Sequence, residues 1–263
     1  MTPQELPRAQ LFSLRLTSLS YDQVSDSVNL HLRDEAATGP LLVDATNTMG
    51  MAASCRDERL HRSMSAYDYL LPDGMPLVWA MRRREVPVKS PTAGPHLVEA
   101  VLRRLDQPTS IALIGGFRDE HERIRAVCAG KYPNAKFTLM YDAPAGEIDS
   151  AYVAEVVRLV EESGSRLIFV CLGVPRQYYL AALARPHIGS RVLLSVGGAF
   201  RYMIGDARIP PPWVQRSGLW WLHRLVDDPR RLASRYARYN TLFLYHYARR
   251  ELRPGTRVQA RPS

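Results

Sequence analysis

Short apolar runs alternate along the chain with stretches that repeat apolar residues at helical spacing. The apolar runs cover residues 41–45, 110–116, 137–141, 166–173 and 192–196. The stretches 49–64, 96–105 and 151–163 have the spacing of amphipathic helices, and Pro76 is a favourable first residue for another helix. Near-continuous apolar strands between such helices predict an α/β fold, with a Rossmann-like, mostly parallel sheet and helices on both faces.

The pattern changes after Gly205, where a loop with three consecutive prolines leads into helices rich in arginine and aromatic residues. We therefore expect an α/β domain over residues 1–206 and a helical appendage over residues 207–252. Residues 253–263 combine turn-forming residues with no apolar periodicity, which predicts a disordered basic tail. The first ten or so residues are expected to be loose as well.

Composition places the chain among globular proteins and excludes several other classes. Of its 263 residues, 46% are hydrophobic and 23% are charged, which argues against a disordered or fibrous chain. Its three cysteines are scattered and form no CxxC pair, so neither a disulfide framework nor a cysteine-based zinc site is expected. No stretch has the length and hydropathy of a signal peptide or membrane span, and we expect a cytoplasmic protein.

The positive charge of the chain is concentrated at its C-terminal end. From Arg208 onward there are twelve arginines, no lysine and three acidic residues, which equals the net charge of +9 of the whole chain. This asymmetry indicates an anionic partner, although a solvated basic surface is the plain alternative. The neighbouring Trp213, Trp220 and Trp221 suit a membrane interface, stacking on nucleobases, or simple packing.

Polar groups at the ends of the predicted strands are candidates for a binding site, because open parallel sheets bind ligands at that edge. They are Asn47, Asp73, Gly115, Gly116, Gln177, Gly197 and Gly198. Asp73 lies in an Asp-Gly turn, where its carboxylate is either a general base or part of a structural turn. The glycine pairs match neither a dinucleotide fingerprint nor a P-loop, and glycines at such turns are usually structural.

No sequence pattern indicates a metal site or a hydrolase triad. The seven histidines are dispersed, and no DxD-like pair is available to hold a metal on a diphosphate. If the ligand carries a diphosphate, the C-terminal arginines are the natural counter-charge, since a guanidinium binds phosphate in a bidentate manner.

Seven motifs in order resemble the bacterial WecG/TagA/CpsF glycosyltransferases, glycosyltransferase family 26. They are LPDGMP (71–76), Gly94 with Leu97 and Val98, ALIGG (112–116), KYPNAKF (131–137), LGVPRQ (172–177), SVGGAF (195–200) and GLWWLHRLVDDPRRLASRY (218–236). The resemblance runs from about Asn47 to about Phe243, which is most of the chain. One such motif would be weak, whereas seven with matching separations are specific.

The resemblance implies an inverting, metal-independent glycosyltransferase that needs no cofactor. Such an enzyme moves a sugar from a UDP-sugar to a lipid-diphosphate-linked saccharide in surface or exopolysaccharide biosynthesis. The sugar is expected to be of the N-acetylhexosamine, hexose or uronic-acid type. The acceptor is expected to be polyprenyl-diphosphate-linked, so the enzyme would lie peripherally on the inner face of the cell membrane, against anionic lipid. A homo-oligomer is left open.

The resemblance also assigns roles to individual residues. Asp73 matches the family's proposed catalytic base, and Arg224 and Arg231 match appendage arginines thought to hold the diphosphate. The other expected substrate-binding residues are Asn47, Thr46, Gly94, Gly115, Gly116, Gln177 and Gly198.

Six positions depart from the family pattern. The usual Thr, Arg, Asp, Glu, Asp and Glu are replaced by Ala45, Pro91, His96, Tyr178, Arg201 and Trp220. These changes bear on the donor sugar and the nucleotide, and Lys89 is a candidate replacement for the missing arginine. They also motivate an alternative function, a catalytically inactive relative that acts as a scaffold in polysaccharide assembly. Nucleic acid is not an expected partner, because no nucleic-acid-binding signature is present.

Overall fold

The computed structural model describes residues 6–227 and 229–251 of the chain. Within them, eight strands form one sheet in the order β1-β2-β4-β3-β8-β7-β5-β6, parallel except for the β1–β2 pair. The strands are β1 (Arg8–Leu11), β2 (Leu14–Thr17), β3 (Leu41–Thr46), β4 (Tyr69–Pro72), β5 (Thr109–Gly115), β6 (Ala135–Tyr141), β7 (Leu167–Cys171) and β8 (Val192–Ser195).

Helices cover both faces of the sheet, as the sequence predicts. They are α1 (Tyr21–Arg33), α2 (Thr48–Ser54), α3 (Glu58–Ser65), α4 (Met75–Arg82), α5 (Gly94–Arg104), α6 (Arg118–Lys131), α7 (Ser150–Glu162), α8 (Arg176–Ala184), α9 (Phe200–Met203), α10 (Pro212–Ser217), α11 (Trp220–Asp227) and α12 (Pro229–Glu251). Helices α2, α3, α4, α7, α8 and α12 pack on one face, and α1, α5, α6 and α9 pack on the other.

The central strands contribute to two hydrophobic cores at once. Adjacent residues such as Leu42 and Val43, or Ile168 and Phe169, point to opposite faces and are both buried. Burial on both faces explains why these strands are continuous apolar runs rather than alternating patterns. The predicted α/β fold class is confirmed.

The N-terminal segment is more ordered than the sequence suggests. Residues 1–5 lie outside the described part of the chain, but Arg8–Leu11 and Leu14–Thr17 form an antiparallel hairpin at the edge of the sheet. The expectation that the first ten or so residues are loose is therefore wrong from Arg8 onward. The hairpin turn has positive φ at Phe12 and Ser13, where hairpins normally carry Gly, Asn or Asp, so its sequence gives no turn signal.

The stretch 49–64 forms two helices rather than one. Helix α2 ends at Ser54, and Asp57 then caps α3 by accepting the Leu60 N–H at 3.0 Å. An aspartate side chain that competes for backbone N–H groups favours such a restart over a continuous helix.

The C-terminal helices pack directly against the α/β body. Phe243 of α12 is buried, and its ring contacts that of Phe12 at 5.6 Å between centroids. Arg235 Nε lies 2.8 Å from Met49 Sδ on α2, and Thr48 donates to Asn240 at 3.5 Å. Helices thus occupy the expected appendage, although the division into domains stays a prediction. The predicted disordered tail, residues 253–263, lies outside the described residues.

Among the helices of residues 6–227 and 229–251, none combines the length and the hydropathy that crossing a membrane requires.

Candidate active site

A cleft of about 1550 Å³ opens at the carboxyl edge of the parallel strands. The loops that follow β3, β4, β5, β7 and β8 form its floor, and helices α11 and α12 form the opposite wall. Its lining includes Asn47, Asp73, Gly94, Gly115, Gly116, Gln177, Gly198, Trp221, Arg224 and Tyr236. Eight of the ten predicted site residues thus line one cleft, although they are spread over 178 positions from Asn47 to Arg224.

Asp73 follows the last residue of β4 and faces the cleft. Its backbone N–H donates to the Thr46 carbonyl at 2.7 Å, which ties the turn to the end of the neighbouring strand β3. Its carboxylate accepts the N–H of Gly94, the first residue of α5. The turn is therefore structural, and it also fixes the direction of an acidic side chain towards the cleft.

The electrostatic surroundings of Asp73 suit a proton acceptor. Burial raises the pKa of Asp73 from its ordinary 3.8 to about 6, while the positive charge of Arg224 and the Gly94 N–H pull the pKa down. A carboxylate with a pKa of about 6 is mostly ionised at neutral pH and more basic than an exposed aspartate. Groups of this kind serve as general bases.

Asn47 is the residue that starts α2 after β3. Its Oδ1 atom accepts the N–H groups of Met49 and Gly50, both at 3.1 Å, as a helix N-cap does. The Oδ1 atom is thereby engaged, which leaves the Nδ2 group for a ligand in the cleft.

Thr46 lies behind the cleft rather than in its lining. Its side chain is completely buried, and its hydroxyl donates to the carboxylate of Asp44. Because residues alternate along β3, Thr46 and Asp44 share one face of the strand. The structure therefore does not bring the Thr46 hydroxyl to the substrate side, and only its backbone supports Asp73.

Gln177 is the second residue of α8 and is almost entirely buried at the floor of the cleft. Its Nε2 group donates to Asp44 at 2.9 Å. Tyr178 donates to the same carboxylate at 2.7 Å. Burial raises the pKa of Asp44 to about 7, and the hydrogen bonds from its three side-chain partners oppose that rise. Sequence reasoning missed Asp44, although an acidic residue inside an otherwise apolar strand run was a usable signal.

The four predicted glycines serve the site in different ways. Gly115 has a φ of +103°, and a Cβ there would lie 2.9 Å from the Cys171 backbone, so this position requires glycine for packing of β5 against β7. Gly116 has a φ of +81° and requires glycine for conformation. Gly198 has ordinary backbone angles, and Gly94 contributes its N–H to Asp73.

Arginines supply the positive charge of the cleft. Arg224 of α11 lines it, together with Arg208 and Arg235 from the arginine-rich C-terminal segment. Arg176 and Arg201 also line it, although the sequence analysis did not name them as site residues. Arg231 lies in α12, but its side chain is outside the described residues. Lys89 is exposed and is not part of the lining, so it does not replace the arginine that Pro91 displaces.

Besides Tyr178, two of the departures from the family pattern, His96 and Arg201, make side-chain contacts beside the cleft. His96 approaches Gln215 at 3.1 Å and packs edge-on against Trp220 at 5.8 Å between centroids, so it joins α5 to the C-terminal helices. Arg201 pairs with the buried Glu120 at 3.3 Å. Arg201 stands where the family pattern has Asp, and the carboxylate of Glu120 balances its positive charge.

Within residues 6–227 and 229–251, no group of three or more His, Cys, Asp or Glu side chains is arranged to hold a metal ion. The positive charge in the described lining comes from guanidinium groups. One basic carboxylate facing several arginines, at the ligand-binding edge of a parallel sheet, is an arrangement for transfer reactions in which an anionic group leaves.

The fold and the cleft are those of an α/β protein that binds its ligand at the carboxyl edge of a parallel sheet. The match to the family model described as "Glycosyl transferase WecG/TagA/CpsF family" extends over residues 9–257 and identifies the chain as a glycosyltransferase. The chain belongs to that family.

Two curated relatives carry the same name, N-acetylglucosaminyldiphosphoundecaprenol N-acetyl-beta-D-mannosaminyltransferase. The Bacillus subtilis (strain 168) protein is 26% identical over 181 residues, which is 67% of this chain and 68% of the relative. The Bacillus spizizenii (strain W23) protein is 27% identical over 219 residues, 79% of this chain and 80% of the relative. By their names, both transfer a sugar to a lipid-diphosphate-linked saccharide.

Proposed function

We propose that this protein transfers a single sugar from a UDP-sugar to a saccharide linked through diphosphate to a polyprenyl lipid, with inversion at the anomeric carbon. The observation that carries the proposal is that Asp73 and Arg224 line the same cleft, close enough for the charge of Arg224 to lower the pKa of Asp73. The relatives' names supply the acceptor class. An N-acetylhexosamine is the first donor sugar to test, ahead of hexoses and uronic acids.

In the proposed reaction, Asp73 takes the proton from the attacking acceptor hydroxyl. The hydroxyl oxygen then forms the new bond to the anomeric carbon as the bond from that carbon to the UDP oxygen breaks. Both bonding electrons leave with UDP, so negative charge builds on the diphosphate. A base at the pKa of Asp73 is active at neutral pH, and a single displacement inverts the configuration.

Arginines of the cleft would stabilise the leaving UDP in place of a metal ion. Arg224 is the best placed of them, because its charge already acts on Asp73 and it lies on α11 above the strand ends. A fixed cation aimed at the leaving group lowers the barrier because its field needs no reorganisation during the reaction. The proposed chemistry is therefore independent of divalent metals.

The lipid acceptor would be reached from the cytoplasmic face of the membrane. Apolar side chains of the C-terminal helices are exposed beside the cleft, among them Trp213, Leu222, Val226 and Leu244. They lie among arginines such as Arg230 and Arg238. A surface of this composition favours the interface of an anionic bilayer. The enzyme is thus proposed to be peripheral, with its C-terminal helices towards the lipid.

The direct test is the release of UDP from a panel of UDP-sugars, with a polyprenyl-diphosphate-linked N-acetylglucosamine acceptor in detergent, with and without EDTA. We expect acceptor-dependent release from one donor, unchanged by EDTA. Arg224→Gln should slow release strongly, whereas Arg230→Gln, an exposed arginine in the same part of the chain, should not. No release from any donor by a folded, vesicle-bound protein would contradict the proposal and favour a scaffold function.

A further inference from the structure

A buried hydrogen-bond network lies directly beneath the cleft, and Asp44 is at its centre. The Asp44 side chain is completely buried in the middle of β3. One carboxylate oxygen, Oδ1, accepts Gln177 Nε2 at 2.9 Å, and the other, Oδ2, accepts the hydroxyls of Thr46 and Tyr178. In these bonds Gln177, Thr46 and Tyr178 all donate to the carboxylate. An ionised carboxylate can only accept, so the arrangement suits the charged form of Asp44.

This arrangement determines which end of the Gln177 amide faces the cleft. A carboxamide has a donor end and an acceptor end. Because the donor end is bound to Asp44, the acceptor end, Oε1, must point away from it. Oε1 is buried and has no hydrogen-bond partner among the described residues. It lies 3.6 Å from the position that a Cβ on Gly197 would occupy, and both residues line the cleft.

A buried carbonyl oxygen without a partner is unfavourable in the free protein. The Gln177 side chain is only 4% exposed, so bulk water does not satisfy this oxygen freely. A ligand that brings an N–H or O–H group to this point of the cleft would satisfy it. The unpaired atom therefore indicates the chemistry of the ligand group that binds there.

We infer that Asp44 is a positioning residue that orients Gln177, so that Gln177 Oε1 accepts a hydrogen bond from a hydroxyl or amide N–H of the sugar nucleotide. This inference rests on the proposed function for the ligand class. The orientation of the amide does not depend on that function. Asp44 itself touches no ligand, and it acts through Gln177.

The geometry permits a charge-swap experiment at positions 44 and 177. Asp44→Asn has one oxygen and one NH₂ group, and because the hydroxyls of Thr46 and Tyr178 can accept as well as donate, the asparagine can turn either end towards Gln177. The Gln177 amide is then no longer held in one orientation. Gln177→Glu places two carboxylates against each other. In the double variant, the introduced amide at 44 donates to the introduced carboxylate at 177, whose second oxygen again faces the cleft as an acceptor.

Binding of UDP-N-acetylglucosamine, and of the other UDP-sugars of the panel, is measured by calorimetry at pH 8 for the wild type and the three variants. We expect Gln177→Glu to weaken binding of the preferred probe about tenfold, the effect of one lost hydrogen bond to a buried group. Asp44→Asn should weaken binding several-fold, because Gln177 is then free to present either end of its amide to the cleft. The double variant should return to within about threefold of the wild type. Effects that simply multiply in the double variant would overturn the inference, as would the absence of binding by the wild type.

Tyr178→Phe is the matched control, because it removes another donor from the same carboxylate without altering the Gln177 bond. It should lower thermal stability and leave probe affinity within about twofold. An equal loss of affinity in Tyr178→Phe and Asp44→Asn would show a merely structural role for Asp44. Failure of the proposed function has a different signature, namely a wild type that binds the probe and transfers nothing.

Discussion

Replacing Asp73 by asparagine should abolish transfer and, at the same time, stabilise the fold. The substitution keeps the size of the side chain and an oxygen that can accept the Gly94 N–H. It removes the basic carboxylate, so the acceptor hydroxyl loses its proton acceptor. It also removes a charge whose ionisation is more costly in the folded protein than in the unfolded chain.

The magnitude follows from the pKa of Asp73. Its value of about 6 in the fold compares with 3.8 for an ordinary aspartate. One unit of pKa corresponds to ~1.4 kcal/mol, so the difference sets an upper limit of ~3 kcal/mol on the gain. Because the carboxylate is partly open to the cleft, water screens the effect, and we expect about 1–2 kcal/mol.

The stability gained by Asp73→Asn should depend on pH. Above pH 6 the folded and the unfolded wild type are both ionised at this position, so the full penalty of the charge is present. As the pH falls from about 6 towards 3.8, the folded state takes up its proton first and the penalty shrinks. The advantage of Asp73→Asn should therefore be greatest near pH 8 and about a third of that at pH 4.5.

Urea unfolding of the wild type and Asp73→Asn at pH 8 and pH 4.5 measures this difference. Glu35→Gln is the control, because Glu35 is an exposed loop carboxylate whose neutralisation should change the free energy of unfolding by less than about 0.5 kcal/mol. The reasoning is refuted if Asp73→Asn is less stable at pH 8, or if its advantage is the same at both pH values. Retained transfer would refute the assignment of the base.

Three further predictions concern the pH dependence of transfer, the proposed membrane surface and the packing of α12. The kcat/KM for transfer should fall as the pH drops through about 6, the pKa of Asp73. In Arg224→Gln this fall should begin about one pH unit higher, because the cation that lowers the pKa of Asp73 is gone. An unchanged pH dependence would contradict this. Trp213→Ser, at a side chain that is 63% exposed, should leave the melting temperature unchanged and reduce sedimentation with anionic vesicles several-fold; equal sedimentation would place the membrane surface elsewhere. Phe243→Ala should lower the free energy of unfolding by about 3 kcal/mol in urea titrations, since the ring is buried against Phe12; a loss below about 1 kcal/mol would show that α12 is not part of the core.

The fold was predictable because the central strands are buried on both faces. Runs such as residues 110–116 and 166–173 are almost entirely apolar, and short runs of this kind between amphipathic helices are typical of a parallel sheet covered on both sides. The N-terminal hairpin was missed because neither its strands nor its turn has a clear sequence pattern. Its strands have four residues each, and its turn at Phe12 and Ser13 lacks the residues that normally mark a hairpin.

Site residues were predictable from the sequence only where a polar side chain directly follows a predicted strand. Asp73 and Asn47 follow strands directly, so the rule that ligands bind at the carboxyl edge finds them. Asp44 and its partner Gln177 are 133 positions apart, and no local pattern reports such a contact. Thr46 was assigned to the substrate side because it is next to Ala45, where the family pattern has Thr. Strand alternation instead turns its side chain away from the cleft, towards Asp44.

In the proposed reaction, Asp73 is the base that supports transfer of one sugar to a lipid-linked acceptor. Mass spectrometry of the acceptor lipid, after incubation with the preferred UDP-sugar, tests it most directly when wild type and Asp73→Asn are compared at equal concentration. We predict a product heavier by one sugar residue with the wild type, an anomeric configuration opposite to that of the donor, and no product with Asp73→Asn. An unmodified acceptor with the wild type, or equal product with both proteins, would contradict the claim.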